Sequence, residues 1–153
     1  MKIGQKLENI KLIIDDKIVL TEKHLIGKKV IIYFYPKDDT PGCTTEALDF
    51  SSFKKKFEAL NVSIIGVSKD SIKKHEKFIQ KHNLKIDLAS DEDGSICEKF
   101  GVWTEKSMYG KKYMGIERST FLFDENLNLV HLWNKVKVKN HVQEVFEHIS
   151  KLS

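Results

Sequence analysis

Cys43 is the clearest candidate for a reactive side chain in this sequence. Cys43 follows Pro36 and Thr40 at short spacing, directly after an apolar, β-branched run at residues 30–35. Thr40 is a favourable N-cap, and the proline after it suits the first position of a helix. The free N–H groups and the dipole of a helix N-terminus favour an anion. Cys43 should therefore populate the thiolate, which is the nucleophilic form of a thiol.

Composition indicates a single folded domain with a real core. The chain has 153 residues, of which 41% are apolar, including nine phenylalanines and two tryptophans. Lysines and carboxylates are dispersed along the chain and leave a formal charge of +4. The lysine clusters are typical of solvated helix faces, so we expect no nucleic-acid partner.

The apolar runs and the number of cysteines predict a cytoplasmic protein without a membrane span. The first residues lack the apolar core of a signal peptide, and no apolar run approaches the roughly 18 residues that a span requires. Only two cysteines are present, which excludes a secreted disulfide framework.

Hydrophobic patterns predict an alternation of strands and helices that places Cys43 after a buried strand. This order favours a three-layer α/β domain with a mixed central sheet and an N-terminal β-hairpin, and residues 1–153 contain no linker, so a single domain is expected. The predicted strands are residues 10–14, 18–20, 30–35, 62–67, 87–89, 119–123 and 129–133; the predicted helices start near Cys43 and cover 71–82, 93–100 and the segment after an Asn140 cap.

The residues around Cys43 resemble a known motif. Pro36, Thr40 and Cys43 form the spacing P-x-x-x-T-x-x-C, which is similar to the peroxidatic motif of the peroxiredoxins. Residues 35–46, 101–111 and 115–121 resemble the bacterioferritin comigratory protein, or Q-type, branch. The resemblance implies a thioredoxin-like fold and a thiol-dependent peroxidase. It would reduce hydrogen peroxide and small organic hydroperoxides through a sulfenic acid at Cys43, in antioxidant defence and redox homeostasis.

The chemistry of peroxide reduction assigns expected roles to the neighbouring residues. A thiolate attacks one peroxide oxygen, and the other oxygen leaves with negative charge that the site must stabilise. We expect the Thr40 hydroxyl to point at the sulfur and Pro36 to shield the thiolate. Gly42 should offer an N–H donor and room for the substrate. We therefore place Gly42 in the substrate-binding part of the site.

A cation is missing from this motif, and Arg118 is the candidate. It is the only arginine in the chain, and it directly precedes a β-branched segment. A guanidinium can hold the thiolate and donate to peroxide oxygens, and the resemblance places the active-site arginine here. Glu46 lies one helical turn after Cys43 and is grouped with Gly42, with orientation of Arg118 as its expected task.

The recycling step departs from the common family pattern. The resemblance implies a resolving cysteine five residues after Cys43, where Leu48 stands, or in the next helix, which contains none. Cys97 lies in an apolar stretch and is expected to be a buried structural thiol, with a resolving role left open. We therefore expect an external thiol to recycle Cys43: thioredoxin, glutaredoxin or glutathione. The resemblance also implies a monomer. No cofactor is implied.

Other functions remain as alternatives. A thiol–disulfide oxidoreductase would need C-x-x-C, but Cys43 is followed by two threonines and a glutamate. A basic binding module would tolerate the loss of Cys43. The scattered histidines show no metal-ligand spacing, so no metal is expected. The aromatic residues Trp103, Tyr109 and Tyr113 either pack on the core and its rim, which we favour, or line a peroxide pocket.

Overall fold

A seven-stranded mixed sheet forms the centre of the molecule in a computed structural model that describes residues 1–152. Its strands are β1 (Leu12–Ile13), β2 (Val19–Leu20), β3 (Lys29–Phe34), β4 (Val62–Ser68), β5 (Asp87–Ser90), β8 (Ser119–Phe123) and β9 (Leu129–Trp133), in the order β2-β1-β5-β4-β3-β8-β9. A separate two-stranded sheet pairs β6 (Trp103–Met108) with β7 (Lys111–Ile116). The helices are α1 (Glu22–Leu25), α2 (Pro41–Ala59), α3 (Ile72–His82), α4 (Ser95–Lys99) and α5 (His141–Ser150).

The pairing explains why β3 is apolar throughout. β3 runs parallel to β4 and antiparallel to β8, so it lies inside the sheet with both faces covered. Its side chains alternate between two cores: Ile31 and Tyr33 point into one, and Ile32 and Phe34 point into the other. The end of β3 therefore delivers the following loop and α2 to the carboxyl edge of a central strand.

Two helical layers cover the sheet. Buried side chains of α2, α3 and α5 share one core with Tyr33, whereas those of α1 and α4 share the other with Phe34. The predicted three-layer arrangement, the mixed sheet and the N-terminal hairpin are confirmed. The hairpin β1–β2 extends the same sheet beside β5.

The connection before β8 is where the sequence prediction fails. The sequence predicts no strand between the helix at 93–100 and the strand at 119–123, but β6 and β7 form an antiparallel hairpin there. The expected packing of its aromatic residues is confirmed for Trp103 alone, which packs against the core. Tyr109 and Tyr113 are exposed, by 99% and 43%. Most side chains of this hairpin are solvated, so no apolar alternation marks the strands.

The predicted helix caps are only partly correct. Thr40 and Asn140 occupy the N-cap positions of α2 and α5, but neither side chain makes a cap hydrogen bond. The Thr40 hydroxyl donates instead to the Lys37 carbonyl at 2.8 Å. Ser71 does cap α3, because its hydroxyl accepts the Lys74 N–H at 3.2 Å. None of the helices within residues 1–152 combines the length and the apolar character needed to cross a membrane.

Candidate active site

Cys43 lies in the first turn of α2, where the helix has unpaired N–H groups. The first bond of the ladder runs from the Thr44 N–H to the Thr40 carbonyl at 2.8 Å, so the N–H of Cys43 precedes it. The thiol is buried, with 2% of the residue exposed, in the core that contains Tyr33. The helix start thus offers partial positive charge to a sulfur held away from bulk water.

Arg118 reaches this sulfur from the segment before β8. Its Nη2 donates to Cys43 Sγ at 3.4 Å, and its Nη1 donates to Glu46 Oε1 at 2.7 Å. Burial opposes the charge on this guanidinium, but the Glu46 carboxylate and the Cys43 sulfur outweigh burial and raise the pKa of Arg118 above its ordinary value. The guanidinium therefore remains charged and is fixed at one edge by a carboxylate while the other edge faces the sulfur.

Glu46 is completely buried one turn after Cys43. Burial raises the pKa of Glu46 from 4.5 to about 7, although Arg118 acts in the opposite direction. Within residues 1–152, its Oε2 has no hydrogen-bond partner. Its other carboxylate oxygen, Oε1, accepts from Arg118, and its grouping with the substrate-binding residues stays a prediction. The contact with Arg118 matches the expected orienting task.

Gly42 makes room for the guanidinium. A Cβ built at this residue would lie 3.2 Å from Arg118 Nη2 and 3.9 Å from Val138 Cγ2. The space beside Gly42 that we expected to hold the substrate is therefore partly filled by Arg118. A side chain at Gly42 would push the guanidinium away from the sulfur.

Two predicted contacts differ from the structure. The Thr40 hydroxyl has one hydrogen and donates it to the Lys37 carbonyl. It is therefore not a donor to the sulfur in this arrangement. Pro36 is exposed at the start of the loop, and the burial of Cys43 comes from its own core. Both residues still lie on the loop that leads into α2.

Cys97 occupies the opposite core. It is fully buried in α4 on the other face of the sheet from Cys43, and both cysteines are free. Its N–H donates to the Asp91 carboxylate at 2.8 Å. Burial, followed by the nearby Asp91, raises the pKa of the Cys97 thiol well above its usual range. The structure brings Cys43, Arg118 and Glu46 together and separates Cys97 from them.

Lys106 and His141 are neighbours that the sequence did not reveal. Burial and then Arg118 lower the pKa of Lys106 in β6, while Glu117 and Cys43 oppose the shift. Burial and then Arg118 also lower the pKa of His141 to about 4, so this ring is neutral near pH 7. One lysine among many carries no local signal, and folding alone places β6 near the site. Residues 1–152 contain no group of three or more potential ligands that could hold a metal.

Comparisons with known proteins agree with this geometry. Residues 3–132 match the model of the AhpC/TSA family. The putative peroxiredoxin bcp of Coxiella burnetii is 49% identical over 145 residues, covering 95% of this chain and 96% of the relative. Peroxiredoxin Bcp of Bacillus subtilis is 47% identical, covering 100% of this chain and 98% of the relative.

The chain belongs to the AhpC/TSA family of peroxiredoxins.

Solved peroxiredoxins share the whole fold. The bacterioferritin comigratory protein of Xanthomonas campestris, described for its alkyl peroxide reduction activity, superposes with a TM-score of 0.90 at 41% identity, covering 94% of this chain and 91% of that one. A cysteine-to-serine variant of PrxQ from Xylella fastidiosa gives 0.94 at 38% identity, with coverages of 99% and 97%. This peroxiredoxin is thus thioredoxin-like in fold, and it is a thiol-dependent peroxidase.

The raised pKa of Glu46 in this peroxiredoxin predicts a pH-dependent stability. The carboxyl binds its proton more tightly in the folded chain, with a pKa of about 7 against 4.5. Stability from this group is complete below pH 4.5 and is lost as the pH rises through 7. Relative to Glu46→Gln, we expect the free energy of unfolding of the wild type to fall by about 3 kcal/mol between pH 4 and pH 8. Urea unfolding of both proteins across this pH range measures the difference in their free energies of unfolding.

An exposed carboxylate on the same helix provides the control. Glu58 forms a solvated pair with Lys54 at 3.8 Å, and Glu58→Gln should leave the pH profile of the wild type unchanged. Parallel profiles of the wild type and Glu46→Gln would contradict the burial argument for Glu46.

Proposed function

We propose that this peroxiredoxin reduces hydrogen peroxide and small alkyl hydroperoxides in a one-cysteine cycle at Cys43. The observation that carries the proposal is the guanidinium of Arg118, which donates to Cys43 Sγ at 3.4 Å while Glu46 holds its other edge at 2.7 Å. The alkyl peroxide activity named for the Xanthomonas campestris relative supports the substrate class.

In the first half of the cycle, the Cys43 thiolate attacks one oxygen of the peroxide. The S–O bond forms as the O–O bond breaks, and the other oxygen leaves as hydroxide or alkoxide and takes up a proton. The sulfur is oxidised to a sulfenic acid, and the peroxide is reduced. Arg118 and the N–H groups at the start of α2 are donors where the negative charge develops. Thr40 and Pro36 shape the loop that presents the sulfur.

In the second half, an external thiol reduces the sulfenic acid. Cys97 is buried in the core on the opposite face of the sheet, and Leu48 stands where a nearby partner would be. One thiol attacks the oxidised sulfur and releases water, and a second thiol then frees Cys43 from the mixed disulfide. Thioredoxin, glutaredoxin and glutathione each supply this chemistry.

The proposed working form is a single-domain monomer in the cytoplasm. Both cores flank one sheet, which supports one domain for the chain. Cys43, Arg118 and Glu46 come from the same chain, so the site is complete without a second copy. Both cysteines are free thiols, as is usual in a reducing compartment.

Intact mass under non-reducing conditions tests the cycle. After one equivalent of hydrogen peroxide, the wild type and Cys97→Ser should each gain one oxygen, because Cys43 reacts and has no partner on its side of the sheet. A loss of two hydrogens in the wild type alone would make Cys97 the resolving cysteine. An unchanged mass in both proteins would contradict the peroxidase proposal itself.

A further inference from the structure

The loop before α2 is tied down at Asp38 by both its backbone and its side chain. Asp38 Oδ1 accepts the Tyr35 hydroxyl at 2.5 Å, and Oδ2 lies 2.6 Å from His75 Nδ1. The Asp38 N–H donates to Asp70 Oδ2 at 2.8 Å. The side chains of Asp38 and His75 are only 6% and 2% exposed. A buried acid with this many partners is a fixed point of the loop.

The second ring nitrogen of His75 is also hydrogen-bonded, on the side of the ring away from Asp38. His75 Nε2 lies 3.0 Å from the carbonyl oxygen of Ala89 in β5, and a carbonyl oxygen only accepts, so Nε2 carries a hydrogen. Nδ1 faces a carboxylate oxygen of Asp38 at 2.6 Å, which also needs a hydrogen between the two atoms. The ring therefore bridges the loop and β5 through both of its nitrogens, with one hydrogen shared in the contact with Asp38.

We propose that His75 is a positioning residue for Cys43, acting through Asp38 on the turn that leads into α2. The proposal rests on the peroxidase function assigned to Cys43. Asp38 lies inside the turn that the Thr40 hydroxyl closes on the Lys37 carbonyl at 2.8 Å. α2 begins directly after Thr40, so the position of Asp38 sets the point from which the helix carries Cys43 toward its guanidinium partner.

The next residue of the loop provides an internal comparison. Asp39 also contacts α3, through Lys81 at 2.6 Å and His82 at 2.8 Å. Its side chain is 41% exposed, and solvent weakens an ion pair in such an exposed position. Both aspartates thus connect the loop to the same helix, but only the Asp38–His75 pair is buried. The buried pair is the one that holds the turn in place.

Two substitutions at His75 and one at His82 test the proposal. His75→Leu fills the space but removes both donors, whereas the amide nitrogen of His75→Asn takes nearly the position of Nδ1 and restores the donor to Asp38. His82→Leu removes the exposed contact to the same loop. The measurement is the second-order rate constant for oxidation of Cys43 by hydrogen peroxide, by stopped-flow fluorescence of the folded proteins.

We expect His75→Leu to react about 10- to 100-fold more slowly than the wild type, as when an outer partner of a reacting group is lost. His75→Asn should stay within about fivefold of the wild type, and His82→Leu within about twofold. A merely structural role would not be rescued by asparagine. Unchanged kinetics in folded His75→Leu would overturn the proposal, as would equal losses in His75→Leu and His75→Asn.

Nitrogen NMR of the wild-type imidazole rings gives a readout without turnover. The ring of His75 should show a slowly exchanging hydrogen in the contact between Nδ1 and Asp38, and the absence of this hydrogen bond would overturn the proposal even if His75→Leu does not fold. A wild type that fails to react with peroxide would contradict the peroxidase function instead, while the ring signals would still report on the Asp38–His75 pair.

Discussion

Cys43→Ser should reduce peroxide consumption to the level of buffer, a loss on the order of 10⁴-fold or more, as when an enzyme loses its nucleophile. A hydroxyl is not ionised near neutral pH and is a far weaker nucleophile than a thiolate. Serine is close to cysteine in size, and Cys43 packs at the start of α2 in the same core as Tyr33, so the variant should fold. Hydroperoxide consumption with a thiol reductant measures the effect.

The second cysteine is the matched control for this experiment. Cys97→Ser alters a thiol of equal burial in the opposite core, and its folded fraction should consume peroxide at the wild-type rate. Turnover by Cys43→Ser comparable to the wild type would remove Cys43 from the chemistry. A loss of turnover in both variants would mean that the two thiols cooperate, contrary to the one-cysteine cycle.

Arg118→Met should slow the oxidation of Cys43 by about 10²- to 10³-fold, the usual effect of removing one preorganised donor to developing negative charge. Arg118→Lys should recover little of this loss. An ammonium keeps the charge, but it cannot bridge the sulfur and the Glu46 carboxylate with the planar edges that a guanidinium presents. Stopped-flow kinetics with hydrogen peroxide compare the variants.

Charge and geometry can be separated at this site. Lys106→Met removes a neighbouring cation without touching the bridge between Cys43 and Glu46, so we expect a loss of less than about tenfold. In Arg118→Met, Glu46 is left buried without its partner, and adding Glu46→Gln should restore stability but not rate. An unchanged rate in Arg118→Met would exclude a catalytic role for the arginine.

The parts of the fold that bury apolar side chains were predictable. The continuous run of β3 predicts a strand covered on both faces, and the phenylalanine spacing after Cys43 predicts α2. The hairpin β6–β7 was not predictable, because its pairing is between strands whose side chains are mostly solvated. Thr40 is the N-cap residue of α2 as predicted, but its cap hydrogen bond is absent. A hydroxyl can donate to several nearby carbonyls, and the loop conformation determines which one it contacts.

The candidate site also has parts that could be predicted from the sequence and parts that could not. Cys43 was a candidate from its residue type and position, and Arg118 became one through the family resemblance, but the depth of Glu46 depends on how α2 packs on the sheet. The Asp38–His75 pair joins residues 37 positions apart. From the sequence, Asp38 is only an acid in a loop and His75 only a histidine on a helix, and nothing indicates that they are in contact. Long-range pairs of this kind appear only when the crossover between β4 and β5 is folded.

The placement of the two cysteines on opposite faces of the sheet has a consequence for damage at high peroxide. A sulfenic acid with a partner cysteine in its own chain forms a disulfide at a rate that does not depend on concentration. In the proposed one-cysteine cycle, the sulfenic acid of Cys43 instead persists until an external thiol diffuses to it. While it waits, a second peroxide can carry the sulfur on to the irreversible sulfinic acid. In that cycle, the lifetime of the enzyme depends on the ratio of reducing thiol to peroxide around it, and inactivation is fastest where the reducing thiol is scarce.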